Sequence, residues 1–519
     1  MNGAQALLHT LQTSGVDICF ANPGTSEMHL VQAIGQSDGM RAVLCLFEGV
    51  VSGAADGYAR MADKPAATLL HLGSGFSNSM ANQHNARRAG VPMVNIVGDH
   101  ATYHLQYDAP LTSDLLGHVH LSSAWTGVAQ SADHLSQLGA EAVSMSYANG
   151  GQITTVIAPA DCSWDPAGEP AKAMAAPPAE PVEEALLEQA VQLLGNRKRT
   201  GLLLGGKALR SEALELLGRI AAATGATLLC ETFPARLQRG VGRVPVQRIP
   251  YFAEQALTFL QSYEQLILVD SKAPVAFFAY PGKASWLASE SCQMMTLSKH
   301  GQALLPALNA LADRLQAPAE PAQRQTPMSL PLKQGPLSVD AIGRSLAALL
   351  PDQAIVSDEG NTSGLGIYAH CMGAAAHDWL TLTGGAIGQG LPLALGASLA
   401  CPERKVLALQ ADGSAMYTTQ ALWSMVREQT DITVVLLNNS SYAILNVELA
   451  RVGAGTPNDK TLSMLDLSNP VIDWTSIARG MGMQADRANT CEEFHSLLQE
   501  AMAQRGPRLI EAMIPTPRA

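Results

Sequence analysis

Two residues at the ends of hydrophobic runs carry the first chemical signal in this chain. In ADGSAMYTTQALWSMVREQTDITVVLLNN, residues 411–439, Asp412 follows the run KVLALQ and Asn439 closes the run DITVVLL. A carboxylate and an amide oxygen are hard donors. They suit Mg2+, which takes few protein ligands and fills its octahedron with phosphate oxygens and water. Gly413 permits a tight turn beside the carboxylate, and a helix starting there would turn backbone N–H groups toward a phosphate. Taken alone, an Asp-Gly pair and a later Asn pair also suit ordinary capping and loop work.

The elements that must position this pair follow from periodicity. KVLALQ and DITVVLL predict buried strands, and TQALWSMVREQ between them predicts a helix capped by Thr418 or Thr419. A right-handed crossover makes the two strands parallel, so Asp412 and Asn439 leave the sheet on the same edge. Ligands in open α/β sheets gather at such carboxyl ends.

The rest of the chain repeats this alternation. DICFANPG, AVLCLFE, PAATLLHLG and PMVNIVGD predict strands in the first third, RTGLLLGGKAL and EQLILVDS in the middle, and AIVSDEG, DWLTLTGG and RLIEAMI in the last. The fold class is α/β, with parallel sheets flanked by helices. At 519 residues the chain exceeds one core. Pro- and Ala-rich stretches at 165–184 and 317–336 divide it into expected domains 1–165, 183–316 and 337–519.

Composition narrows the class. A net charge of −12 without a basic stripe argues against a nucleic-acid partner. Eight scattered cysteines, none in a CxxC pair, fit a reduced, cytoplasmic protein. The N-terminal MNGAQALLHTLQTSGVD reads as an amphipathic helix and lacks the pattern of a signal peptide. No apolar run reaches membrane-spanning length, so no membrane partner is expected.

Asp-Gly-Ser, a helix, a strand and then Asn-Asn resembles the cofactor motif of thiamine-diphosphate-dependent enzymes, with Ala411 where the family motif has glycine. The resemblance implies thiamine diphosphate and Mg2+ as cofactors. It implies Asp412 and Asn439 as side-chain metal ligands, Ser441 as a carbonyl ligand, and Gly413 and Ser414 at the cofactor.

Three further stretches carry the same resemblance. VLCLFEGVVSGAADGYARMADKPA puts Glu48 at a strand end, where the family's glutamate hydrogen-bonds the pyrimidine nitrogen N1′ and promotes the imino tautomer. Asp56, Tyr58 and Arg60 in that stretch are expected to be structural. TLTGGAIGQGLPLALGASLA supplies Gly385, whose carbonyl would accept from the 4′-amino group, and Ile387, which would prop the cofactor into a bent shape. SDEGNTSG supplies Gly360, Asn361 and Thr362 as diphosphate donors.

Within that family NPGTSE, LLHLGSG and ADGSAMYTTQALW are similar to the benzoylformate decarboxylase type. By that similarity His71 is an acid/base residue, and Thr25 or Ser26 binds the substrate carboxylate. Two departures stand out. Phe277 and Phe278 replace a middle-domain histidine, and Ile444 and Glu448 occupy substrate-pocket positions. His100, Tyr103 and His104 are candidates to reach the pocket, with no role assigned.

The implied activity is non-oxidative decarboxylation of a 2-oxo acid through an enamine. The alternative is an acetolactate synthase-like carboligase, which traps the same unit with a second carbonyl. A non-catalytic subunit of the same fold is a third reading. The absence of a GxGxxG after a first strand argues against a nicotinamide or flavin oxidoreductase, and LLLGGKAL alone does not make a flavin site. In the resembling family the glutamate comes from a neighbouring chain, so a homodimer or homotetramer with active sites between chains is expected.

Overall fold

Runs of Val, Leu, Ile and Ala without polar alternation make strands buried on both faces, the pattern of parallel sheets covered by helices. The computed structural model, which describes residues 1–515, contains three such sheets. The last four residues of the segment expected to run from 337 to 519 lie outside the described residues.

The first sheet holds β1 (Ile18–Asn22), β2 (Arg41–Leu44), β3 (Ala66–Leu70), β4 (Met93–Asp99), β5 (Trp125–Val128) and β6 (Ile153–Pro159), in the order 2-1-3-4-6-5, all parallel. The middle of the chain adds β7 (Thr200–Leu204), β8 (Thr227–Cys230), β9 (Leu237–Arg239), β10 (Gln247–Arg248), β11 (Gln265–Val269) and β12 (Gln293–Ser298). Five of these form the second sheet, in the order 10-8-7-11-12. The third sheet contains β13 (Ala354–Glu359), β14 (His377–Thr381), β15 (Val406–Ala411), β16 (Ile432–Asn438), β17 (Gln484–Ala488) and β18 (Arg508–Met513). Its order is 17-18-16-15-13-14-9.

β9 crosses the expected boundary. It leaves the middle segment and pairs antiparallel with β14, Leu237 opposite Trp379 and Arg239 opposite His377. Cation–π contacts hold it there. The Arg239 guanidinium lies 3.7 Å from the Tyr368 ring centroid, and its Nη1 donates to Tyr368 O at 2.9 Å. The linker stretches contain no helix or strand over 167–183 and 317–335.

The helix Glu48–Ala62 joins all three parts and is almost wholly buried. It packs against the helix Gly390–Ala400 at backbone contact. A Cβ on Gly57 would lie 2.0 Å from Leu393 O, and one on Gly396 1.8 Å from Ala54 O. Tyr58 donates to Asp17 at 2.7 Å. Arg60 binds Asp56 through Nε and Nη2, both at 2.8 Å. Its other donors reach Ala235 O at 3.0 Å, Thr381 O at 2.8 Å and Thr383 Oγ1 at 3.0 Å. Glu48 itself is the first helical residue, past the end of β2 at Leu44, not the last residue of a strand.

Asp56→Ala would leave this guanidinium buried and unpaired, which costs about 3–5 kcal/mol. Urea unfolding is expected to show that loss, and Asp56→Asn a smaller one.

Candidate active site

β13, β14, β15 and β16 deliver their carboxyl ends to one cavity of about 580 Å³. Ala411 pairs with Leu437 across β15 and β16, so the crossover sets Asp412 and Asn439 at the same edge. Asp412, Gly413, Ser414, Asn439 and Ser441 line the cavity. Asp412 is buried, and its oxygens accept from Gly413 N at 2.9 Å and Ser440 N at 2.8 Å. Burial nevertheless pushes its carboxyl up to about 6, against the pull of those N–H donors. The two asparagines divide the work. Asn438 bonds Glu511 at 2.7 Å in the sheet, while Asn439 reaches the cavity and accepts from Ser441 N at 3.0 Å.

Gly360, Asn361 and Thr362 line the same cavity at the start of the helix Asn361–His370, which no side chain caps. An uncapped N-terminus presents free N–H groups and favours an anion. Gly385 and Ile387 form the facing wall. Gly385 has φ +78°, a conformation that strains any side chain.

The loop around these two residues is pinned from both sides. Asn82 donates to Gly388 O at 3.1 Å and Asn85 to Ala386 O at 2.7 Å. From beneath, the buried Glu359 carboxylate accepts from Gly388 N at 2.7 Å, Gln389 N at 3.3 Å, Gly390 N at 2.7 Å and Gln410 Nε2 at 2.9 Å. Burial raises the Glu359 pKa against these donors.

The expected helix cap is not made. The helix starts at Ala421, after a 3-10 turn over Met416–Thr418. Thr418 Oγ1 donates instead to Gly388 O at 2.9 Å, and Thr419 Oγ1 to Ala415 O at 3.0 Å. Both hydroxyls are taken by carbonyls and cannot serve the helix.

Glu48, His71, Thr25 and Ser26 do not line this cavity. They lie in the first segment, and three of them cluster. Glu48 and His71 flank Gly75, where an added Cβ would sit 3.1 Å from Glu48 Oε1 and 3.2 Å from His71 Cβ. Asn78 donates to Glu48 Oε2 at 3.0 Å.

Glu27, which the sequence reading passed over, organises the cluster. Fully buried, it takes His71 Nδ1 at 2.9 Å, the Ser26 hydroxyl at 2.5 Å and Gly24 N at 2.7 Å. A Cβ on Gly24 would fall 2.1 Å from His71 Nδ1, so glycine is what admits the imidazole. Thr25 is exposed. The His100 ring lies tilted against His104 with centroids 5.5 Å apart, Tyr103 is exposed, and none of the three lines the cavity. Phe277, Phe278, Ile444 and Glu448 do line it.

Comparison with known proteins agrees with this geometry. The family model described as "Thiamine pyrophosphate enzyme, N-terminal TPP binding domain" matches residues 1–131, and the corresponding "C-terminal TPP binding domain" matches residues 364–512. The chain belongs to the thiamine pyrophosphate enzymes. A protein of Mycobacterium tuberculosis named as an acetolactate synthase large subunit, IlvX, is 49% identical over 99% of both chains. The benzoylformate decarboxylase of Pseudomonas aeruginosa is 27% identical over 98% of this chain and 97% of its own. Among solved structures, a thiamine diphosphate-dependent 4-hydroxybenzoylformate decarboxylase of Rhodococcus jostii shares the fold over 100% of both chains, with a TM-score of 0.85 at 21% identity.

Thiamine diphosphate is therefore the cofactor, with Mg2+ its usual metal in this family. The residues present fit the pair: hard oxygens at Asp412 and Asn439, and an uncapped helix N-terminus for a diphosphate. Among the described residues no helix is long and apolar enough to cross a membrane.

A divalent cation held at Asp412 would compete there with a proton. The raised carboxyl is ionised only above about pH 6, so in the cofactor-free protein its ionisation opposes folding increasingly from pH 4 to 6 and favours the cation above that. Mn2+ affinity read by electron paramagnetic resonance is expected to fall by up to about tenfold per pH unit below 6. Asp412→Asn should abolish that slope.

Proposed function

We propose that this chain decarboxylates a 2-oxo acid non-oxidatively, using Mg2+ and thiamine diphosphate held in the third-sheet cavity and completed by a second copy of the chain. The observation that carries the reading is the convergence of Asp412, Asn439 and the uncapped helix at Asn361 on one cavity beside Ile387 and Gly385. When bound, the cofactor supplies an electron sink for the carbon that loses carbon dioxide.

This chain's residues do the rest. Asp412 and Asn439 would hold the cation by side chain and Ser441 by its carbonyl. Gly360, Asn361 and Thr362, with Gly413 and Ser414, hold the diphosphate. Ile387 would support the cofactor's rings from the cavity wall, and the Gly385 carbonyl would be available to an amino group on the pyrimidine. Glu48 would hold a proton at the cofactor's pyrimidine nitrogen. His71, with Nδ1 bound to Glu27, moves a proton at the substrate carbonyl oxygen through Nε2. Ser26 stands beside it for the substrate carboxylate. The apolar wall excludes water and strengthens each of these contacts.

Glu48 and His71 flank Gly75 in the first segment and are absent from the cavity lining, which supports their delivery to the cavity of a second copy. Exposed Tyr103, Tyr107 and Leu121 on the first segment, with Tyr417 and Met464 on the third, offer apolar surface for that contact. The active unit on this reading is a homodimer or homotetramer. The acetolactate synthase name of the 49% relative supports the second reading, in which another carbonyl in place of a proton traps the decarboxylated unit. The relatives fit both readings equally.

Incubation with Mg2+, thiamine diphosphate and a panel of 2-oxo acids, with and without added aldehydes, is expected to release carbon dioxide. Mass spectrometry separates simple aldehyde from hydroxyketone and so decides between the readings; no product from any acid removes both. Glu48→Gln is expected to keep cofactor binding and lose at least about a hundredfold in kcat. Normal turnover would remove Glu48 from its role.

A further inference from the structure

We propose that Glu448 selects the substrate side chain: it admits a 2-oxo acid whose side chain is bulky and apolar along its length and ends in a neutral hydrogen-bond donor, and it rejects one that ends in an acid. The proposal rests on the decarboxylase reading above and names its substrate class.

The middle segment roofs the cavity with Phe233, Tyr251, Phe277, Phe278 and Tyr280. The Phe277 ring lies 5.2 Å from both Phe233 and Tyr251. Ile444 and Leu445 face these rings from the helix Ala443–Arg451. Such walls suit a flat or branched apolar group. No Lys, Arg or His lines the cavity. Its carboxylates are Asp412, assigned to the cation, and Glu448.

Glu448 is held by one oxygen. Arg451 Nη1 donates to Oε1 at 2.9 Å, while Oε2 is buried and makes no hydrogen bond. The Tyr280 hydroxyl approaches the same carboxylate, and burial, then the Glu448 charge, then hydrogen bonding to Glu448 raise its pKa; by distance and angle, however, it completes no hydrogen bond to Oε2, which stays without a partner. A carboxylate oxygen left this way is costly and calls for a partner.

The surrounding charges say what kind of partner. Arg451 also bonds Glu254, and Lys283 Nζ bonds Glu254 at 2.6 Å. Two carboxylates therefore alternate with two cations, and charge is balanced. What is missing is a hydrogen bond, not a counterion. A hydroxyl or amide N–H at the far end of the substrate supplies it. A second carboxylate there would meet Glu448 in a low dielectric with no cation in the wall to offset it.

The test uses matched arylglyoxylates and 3-aryl-2-oxopropanoates bearing a para hydroxyl, hydrogen or carboxylate. Turnover is measured in the wild type, Glu448→Gln and Glu448→Leu, all loaded with Mg2+ and thiamine diphosphate. The wild type is expected to prefer hydroxyl over hydrogen by at least about tenfold in kcat/KM and to refuse the carboxylate. Glu448→Leu reverses the first preference, and Glu448→Gln admits the carboxylate. Calorimetry of the matching arylacetates, which lack the oxo group, gives the same order by binding alone. Equal handling of hydroxyl and hydrogen by the wild type, or a preference unchanged in Glu448→Leu, overturns the proposal. If no 2-oxo acid reacts while the arylacetates still discriminate, the decarboxylase reading fails and the Glu448 selection stands.

Discussion

Everything at this site hangs from one buried guanidinium. Arg60 has five N–H donors, and the interior satisfies all of them: two on Asp56, one each on Ala235 O, Thr381 O and Thr383 Oγ1. A charge this deep, with side-chain exposure of 1%, persists only when paired and fully bonded. Because its partners come from all three segments, the pair fixes where β14 ends relative to the helix Glu48–Ala62. The loop that carries Gly385 and Ile387 begins at that point. Gln389 Nε2 donates to Asp56 Oδ2 at 2.5 Å, so the far end of the loop is tied to the same carboxylate.

The cavity that results is built for a highly charged ligand without any basic side chain in its wall. Negative charge can be met there by a cation at Asp412 and Asn439 and by the free N–H groups at Asn361. The cation would arrive with the ligand, whereas the N–H groups stand ready in the fold. A lysine in the same place would carry a charge that shifts with its own protonation; the N–H groups of a helix end do not titrate in this way. Glu359 serves this economy from below. Its carboxylate gathers three successive backbone N–H groups of the glycine loop, so the loop holds its shape before any ligand enters.

The α/β class and the parallel pairs around Asp412 were legible because their signals are local: a strand-length apolar run, an Asp-Gly turn, a helix-length gap and an Asn pair. Glu27 was not legible. Its role needs His71 from β3's end and room beside Gly98, where a Cβ would stand 1.8 Å from Glu27 Oε1; neither is near it in sequence. Glu359 lies inside SDEG, where the recognisable pattern is carried by the glycine and the residues after it. An acid at a strand end facing a run of glycine N–H groups is the signal that would have found it. The threonine cap failed for a related reason, since a hydroxyl's choice between a helix N–H and a nearby carbonyl is settled by tertiary packing. β9 was missed because three residues carry too little pattern to announce which sheet they join.

That short strand changes how the molecule can be taken apart. Its pairing covers the outer rim of β14, whose backbone would otherwise stand open to a stranger's chain. Excising the middle segment, or grafting it from a relative as an exchangeable cassette, would strip that cover and leave a sticky border on the remaining sheet. Recombination across this architecture therefore succeeds only when residues 237–239 travel with the last third and not with their neighbours in sequence.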